Sequence, residues 1–317
     1  VCPALEHPGM ITASLWFDMD QDKQPDLVIA GEWMPIRFFK NNHGHLQEVT
    51  EATGIRDNSG MWRSLAVADI DHDGDMDIIA GNLGLNCIYH VSPAEPMKLF
   101  AADIDGNGSI DPVLCYYNKD EDGKKHLYPA VNKSQLAEQV PVIKKQFLYN
   151  KDYAKATVNE VCGSKMKSSL EFDCTETRSC YFENKGGGRF VKHALPMEAQ
   201  FAPVNAIVCE DVDSDGYTDL LLAGNEYQAE PITGRYDASY GCFLKGNGKT
   251  FTPVPAAQSG LIIRGDVKDM KLIHTAQQER LLLVAVNNDS LRVFRLPSQQ
   301  GLIARYCMLC GRDWPRY

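Results

Sequence analysis

Short apolar runs and acidic clusters alternate along this chain in a fixed frame. Ala13-SLWF-Asp18 leads into an acidic stretch that ends in Leu27-VIA-Gly31, and Leu65-AVA-Asp69 leads into one that ends in Ile78-IA-Gly81. The pattern returns at Leu99-FAA-Asp103 with Pro112-VL-Cys115, and at Ala206-IVCE-Asp211 with Leu220-LLA-Gly224. Apolar runs of four or five residues bounded by turn residues predict buried strands rather than helices. A later strand pair recurs as Phe38-FKNNHGHLQEV, Tyr181-FENKGGGRFV and Phe243-LKGNGKTFTPV. Each is an apolar run broken by an Asn/Gly turn, which predicts a hairpin. The unit is therefore strand, acidic loop, strand, strand, turn, strand. Four antiparallel strands of that size make one blade of a β-propeller, so the expected fold is all-β, a propeller of four-stranded blades.

The first acids of the copies are Asp18, Asp69, Asp103 and Asp211, with a degenerate fifth copy at Asp266, and the spacings are 51, 34, 108 and 55. Two of these fall near the length of one blade. About five blade-like units span residues 1–300, either a complete small ring or part of a seven-bladed one. The spacing of 108 is too long for one blade. Within it, Leu136, Val140, Ile143, Phe147 and Leu148 fall at helical spacing, and Pro141 separates two short helices. A helical insertion is expected at about 132–162, between strands of the third blade, packing on the propeller or serving as a lid. Residues 301–317 form a tail of unassigned role.

The loops carry specific chemistry. Carboxylates at positions 1, 3, 5 and 9, with a Gly turn at position 6 and a backbone carbonyl at position 7, make a cage of hard oxygens suited to Ca²⁺. The candidate ligands are Asp18, Asp20, Asp22 and Asp26 in the first loop. The second has Asp69, Asp71, Asp73, Asp75 and Asp77, and the third Asp103, Asp105, Asn107, Ser109 and Asp111. The fourth has Asp211, Asp213, Asp215, Tyr217 and Asp219. Up to four Ca²⁺ ions are expected. The first loop has Lys23 where Gly is usual and Gln24 at position 7, so it should bind most weakly. A solvated acidic turn would explain one such loop but not four in one register. An EF-hand would need a bidentate Glu at position 12, where this chain has Ile29, Ala80, Leu114 and Leu222.

At this level the unit resembles the FG-GAP or VCBS repeat, a calcium-loop propeller blade also seen in integrin α-chain heads. Gly81-NLGLN-Cys87, Lys98-LFAADIDGNGSIDP-Val113, Glu198-AQFAPV-Asn205 and Gly234-RYDASYG-Cys242 are similar to cell-surface proteins of Bacteroidota in the ASPIC/UnbV, cartilage-acidic-protein-like group. The resemblance runs from about Ile11 to Pro297. It implies an exported, non-enzymatic propeller at the outer membrane, on the cell surface or outside the cell.

Composition narrows the alternatives. The 317 residues are 44% hydrophobic and 23% charged, ordinary for a folded chain. The net charge of −10, from 42 acids and 32 bases, lacks the basic footprint of a nucleic-acid binder. No apolar run reaches the roughly 18 residues of a membrane helix. The start, Val1-Cys2-Pro3, reads as a processed chain or a fragment. Ten scattered cysteines leave the compartment open; Cys174 with Cys180 is a conceivable pair, and Cys307-x-x-Cys310 is half a zinc site.

No nucleophile–base signature or metalloprotease spacing is present, so no catalytic residue is assigned. His72, at position 4 of its loop, is expected to face solvent. Asn82, Asn86, Arg235, Tyr236 and Asp237 combine amide, guanidinium and aromatic groups outside the acidic loops and are the expected partner contacts. The reading is a surface module that binds a glycan or protein. The alternative is a polysaccharide-acting enzyme, or a subunit of one, built around Trp62, Arg63, Arg235 and Tyr236.

Overall fold

A computed structural model describes residues 2–230, 233–297, 301, 303–307 and 312–313. Strands dominate the described residues and form five antiparallel sheets among them. The first sheet is Met10–Phe17, Asp26–Met34, Arg37–Asn42 and His45–Glu48, side by side in chain order. The fourth repeats this with Val204–Glu210, Asp219–Gly224, Cys242–Gly246 and Phe251–Val254. The fifth begins Val267–His274, Arg280–Val286 and Arg292–Arg295, and Ala304–Cys307 from the unassigned tail pairs with its third strand.

The second sheet is assembled from two distant pieces. Ser64–Ala68 and Asp77–Gly81 supply its first half, and Cys180–Asn184 and Phe190–Ala194 its second. Ile78 pairs with Phe182 and Ile79 with Tyr181. Between the halves the chain builds a separate compact unit, Asp57–Gly60 with Tyr89–Glu176; the other unit is Val1–Arg56, Met61–Ile88 and Thr177–Tyr317. The second unit holds the third sheet, Met97–Ala102, Asp111–Lys119, Lys125–Pro129 and Leu170–Cys174, with the last strand beside the first. The helical stretch 132–162 thus falls between strands of the third sheet, and that whole repeat is itself inserted in the sequence between the two halves of the second. This also accounts for the short spacing of 34 and the long one of 108.

Residues 132–162 hold four short helices, Lys133–Gln139, Ile143–Gln146, Asn150–Lys155 and Val158–Cys162. Asn132 caps the first reciprocally with Gln135, and Thr157 caps the last with Glu160. Leu136, Val140, Ile143, Tyr153 and Val161 are buried in one cluster with Phe100, Val113 and Cys115 of the third sheet.

Within the larger unit the second strands are buried on both faces, which is why they read as unbroken apolar runs. Side chains alternate between neighbours. Ile78 and Ala80 join Val28, Ala30 and Phe38 of the first sheet. Ile79 joins Leu220, Leu222 and Leu244 of the fourth. Leu221 and Ala223 turn to Met270, Leu282 and Val284 of the fifth. The stacking order is first, second, fourth, fifth. The far face of the first sheet, Leu27, Ile29 and Phe39, is covered by Ala4 and Leu5. No closed barrel or closed propeller ring is present among the described residues.

Candidate metal centres

Each acidic loop joins the first strand of a sheet to the second, and the same bonds recur at the same positions. The position-1 carboxylate turns inward and accepts backbone N–H groups. Asp18 accepts from Asp22 and Lys23 at 3.0 and 2.7 Å, Asp69 from Gly74 at 3.1 Å, Asp103 from Gly108 at 2.9 Å, and Asp211 from Asp215 and Gly216 at 3.1 and 2.9 Å. The position-5 side chain accepts the N–H two residues on, as Asp22 does from Gln24, Asp73 from Asp75, Asn107 from Ser109 and Asp215 from Tyr217. Positions 4 and 6 are left-handed throughout: Gln21, His72, Gly106 and Ser214, then Lys23, Gly74, Gly108 and Gly216. A left-handed lysine is strained by about 1 kcal/mol. Lys23→Gly should therefore raise stability in chelator by about 0.5 kcal/mol, net of the entropy Gly adds to the unfolded chain, as read by urea unfolding.

Position 9 is the buried anchor. Asp26, Asp77, Asp111 and Asp219 each accept the N–H of position 2, from Met19, Ile70, Ile104 and Val212, at 2.9–3.1 Å. Their second oxygen accepts from the third strand in three sheets: Asn41 to Asp26, Asn184 to Asp77 and Gly246 to Asp219. Asn184 is fully buried, and its Nδ2 also donates to the Met19 and Met76 carbonyls, tying the first and second loops.

Among the described residues, carboxylate oxygens converge in four groups, those of each group within 4.8 Å of one another: Asp18, Asp20 and Asp22; Asp69, Asp71 and Asp77; Asp103, Asp105 and Asp111; Asp211, Asp213 and Asp219. The donors are all hard oxygens, the set Ca²⁺ prefers. One oxygen each of Asp20, Asp69 and Asp213 is buried without a hydrogen-bond donor. An acceptor stripped of water and given no donor is costly, and a bound cation would satisfy it, so these residues fit a calcium ion. The converging aspartates come from positions 1, 3 and 5 in the first loop and from 1, 3 and 9 in the others, without Asp73, Asp75 or Asp215. Asp75 instead accepts Gln21 Nε2 at 2.7 Å, and Tyr217 stacks on exposed His72 at 5.6 Å.

Two lysines absent from the sequence reading face these loops. Lys40 Nζ lies 3.0 Å from Asp22 and also pairs with Asp20; Lys245 Nζ lies 2.8 Å from Asp215 and also pairs with Asp213. Their signal was available in the third strands, Phe38-Phe39-Lys40 and Phe243-Leu244-Lys245, where strand alternation sets a charge beside the loop. Lys40 holds Asp22 below the usual carboxylate range, and Lys245 does the same to Asp215. Burial works the other way on the anchors. It raises Asp26, and pushes Asp77 and Asp219 to about 6.

The last shift sets a pH dependence. Between about pH 4 and 6 the unfolded chain has lost these two protons while the folded chain keeps them, so metal-free stability falls as pH rises. The upper bound is about 3 kcal/mol for each group. Melting in chelator should drop across that window, and Ca²⁺, which favours the ionised carboxylates, should flatten the trend. A metal-free melting temperature that rises from pH 4 to 6 would contradict it.

The expected partner contacts are only partly where a partner could reach them. Asn82 is fully buried, with its Oδ1 accepting from Met61 and Leu83, which corrects its assignment as a contact. Asn86, Arg235 and Asp237 are exposed and Tyr236 is half-buried. Arg235 lies over the Tyr227 ring at 5.3 Å. Trp62 is fully buried among Phe182 and its neighbours, a core residue rather than a site residue. No disulfide bond is present among the described cysteines, Cys174 and Cys180 included. Of the Cys307-x-x-Cys310 pair, Cys310 lies outside the described residues.

One comparison with known proteins falls on these loops. The profile of the FG-GAP-like repeat family matches residues 18–80, spanning the first two. No curated protein sequence matches the chain. Among solved structures, the NanB sialidase from Streptococcus pneumoniae aligns at 7% identity and a TM-score of 0.40, over 93% of this chain and 51% of the sialidase. The V. cholerae biofilm matrix protein Bap1 aligns at 10% identity and a TM-score of 0.29, over 90% of this chain and 63% of its own. The chain thus spans about half the length of the sialidase.

Proposed function

We propose that this chain is a calcium-stabilised part of an exported β-propeller that binds a glycan or protein at the cell surface and does no chemistry of its own. The observation that carries this reading is the division of labour along the strands. The clustered acids lie in loops at one end of the second strands, where they organise backbone. The loops at the other end, after Gly81 and Gly224, present Asn86, Arg235 and Asp237 to solvent beside half-buried Tyr236. Amide, guanidinium and aromatic groups suit hydrogen bonding and stacking with a sugar or a protein side chain. The finer resemblance to Bacteroidota surface proteins supports export. No described helix is long and apolar enough to cross a membrane.

A second reading, polysaccharide cleavage, has one observation in its favour. The Arg63 guanidinium lies 3.1 Å from Glu32 and 3.7 Å from Glu226. It sits near enough to Tyr236 to oppose, in part, the rise that burial imposes on that phenol.

A glycan and surface-protein binding array, run beside an oligosaccharide-cleavage assay, tests both. Replacing Arg235 and Tyr236 together with Ala should weaken binding at least about tenfold, the loss of a central contact, and leave the calcium-dependent melting shift unchanged. A polysaccharide cleaved by the native protein and spared by the double variant would put the enzyme reading in its place.

A further inference from the structure

We infer that, in the first, second and fourth loops, the third-strand residue opposite the buried anchor aspartate sets how tightly the loop takes Ca²⁺, with Lys40 and Lys245 acting as resident counter-ions. The inference rests on the calcium reading above and goes further, because it ranks the loops in an order their motifs do not.

The three positions are equivalent by register. Leu27 pairs with Phe39, Ile78 with Phe182 and Leu220 with Leu244, so the next residue on the third strand lies opposite Asp26, Asp77 and Asp219 respectively. Those residues are Lys40, Glu183 and Lys245. Both lysines bridge positions 3 and 5 of their loops, Asp20 with Asp22 and Asp213 with Asp215. In each case one position-3 oxygen is taken by the ammonium while the other is buried without a donor. A divalent cation bound by positions 1 and 3 would sit a few ångströms from that ammonium. Like charges at such a distance repel strongly even under partial solvent screening. The ammonium must swing out or the ion binds against it.

The second loop has the opposite partner. Glu183 is held by Lys185 and by His193 at 3.1 Å. Even counting Lys185, its five aspartates and Glu183 leave this loop with more negative charge than the first or the fourth. The fourth loop is an unbroken D-x-D-x-D-G-x-x-D and by its motif should rival the second. Lys245 places it with the first loop among the weak ones, already compensated without metal.

Calcium titration of the chelated full chain, by calorimetry for affinity and native mass spectrometry for stoichiometry, tests this in the native protein, Lys245→Met and Glu183→Lys. The native chain should load in a tight class and a weak class. Lys245→Met should strengthen one weak site about tenfold or more and lower the melting temperature in chelator, having removed the resident cation. Glu183→Lys should weaken the tight class by a similar factor, and Lys245→Arg should keep the native affinities. If Lys245→Met lowers melting in chelator but leaves every affinity unchanged, the lysine is only a structural ion pair and the inference is overturned. If Lys245→Met does not fold without calcium, unchanged tight binding in Glu183→Lys overturns it. Failure of the native chain to bind any Ca²⁺ would instead remove the calcium reading itself.

Discussion

Restoring Ca²⁺ to the chelated protein should raise its melting temperature by about 10 °C or more. Burial leaves one oxygen each of Asp20, Asp69 and Asp213 without a donor, and it holds Asp77 and Asp219 at a pKa of about 6. Each of these terms opposes the metal-free fold and is relieved by a cation. The formal charge of −10 adds general self-repulsion, which divalent ions reduce. A site at a hundredfold excess over its dissociation constant contributes about 2.7 kcal/mol, and 1 kcal/mol moves the melting point of a chain this size by about 2–4 °C. Two occupied tight sites reach the stated shift. Mg²⁺ should do much less, because it demands near-octahedral geometry and gives up its water reluctantly. Scanning calorimetry in chelator, Ca²⁺ and Mg²⁺ decides the matter. Equal melting in all three would mean the loops are self-sufficient acidic turns.

Gly224→Ala should destabilise the fold by about 3 kcal/mol or more. A Cβ at this position would lie 1.7 Å from the Pro203 carbonyl oxygen and 2.7 Å from its carbon. Those are backbone atoms, so no side chain can move aside. The same approach recurs at Gly31, where Cβ would meet the Met10 oxygen at 2.0 Å, and at Gly81, where it would meet the Val204 oxygen at 2.2 Å. The first strands carry a register shift beside two of these points, between Ile11 and Ala13 and between Val204 and Ala206. The bulge presses a carbonyl onto the second strand, and only glycine leaves room. Gly74→Ala is the matched control: nothing lies within 4 Å, and only its left-handed φ of +91° opposes the change, at about 1 kcal/mol. Denaturant unfolding in Ca²⁺ compares the two. Similar small losses would show that the bulge is not packed as described.

These glycines also mark where sequence reasoning stopped. The runs LVIAG, IIAG and LLLAG show that each apolar stretch closes on a glycine, but not why. The reason lies in a carbonyl of another strand. Asn82 shows the same limit. A polar residue after a strand reads as a surface group, yet its backbone carbonyl accepts from Val204 and its side chain from Met61, and the residue is fully buried.

What the sequence determined by itself was local. Apolar runs between turn residues gave strands, Asn/Gly turns gave hairpins, and helical spacing with a proline break marked the stretch that holds four short helices. The acidic loops were legible for the same reason, since carboxylates at alternate positions within nine residues must share one small volume whatever surrounds them. The tertiary structure decided what depends on partners far along the chain. Phe182 and Ile78 pair across about a hundred residues, and nothing in either strand names the other, because both present the same apolar faces. Whether an anchor aspartate meets lysine or glutamate is likewise a matter of register between strands. That is why two loops with the same motif differ, the fourth facing Lys245 and the second Glu183. Short-range sterics and hydrophobic period are written residue by residue, but burial and electrostatics are set only when distant strands come together.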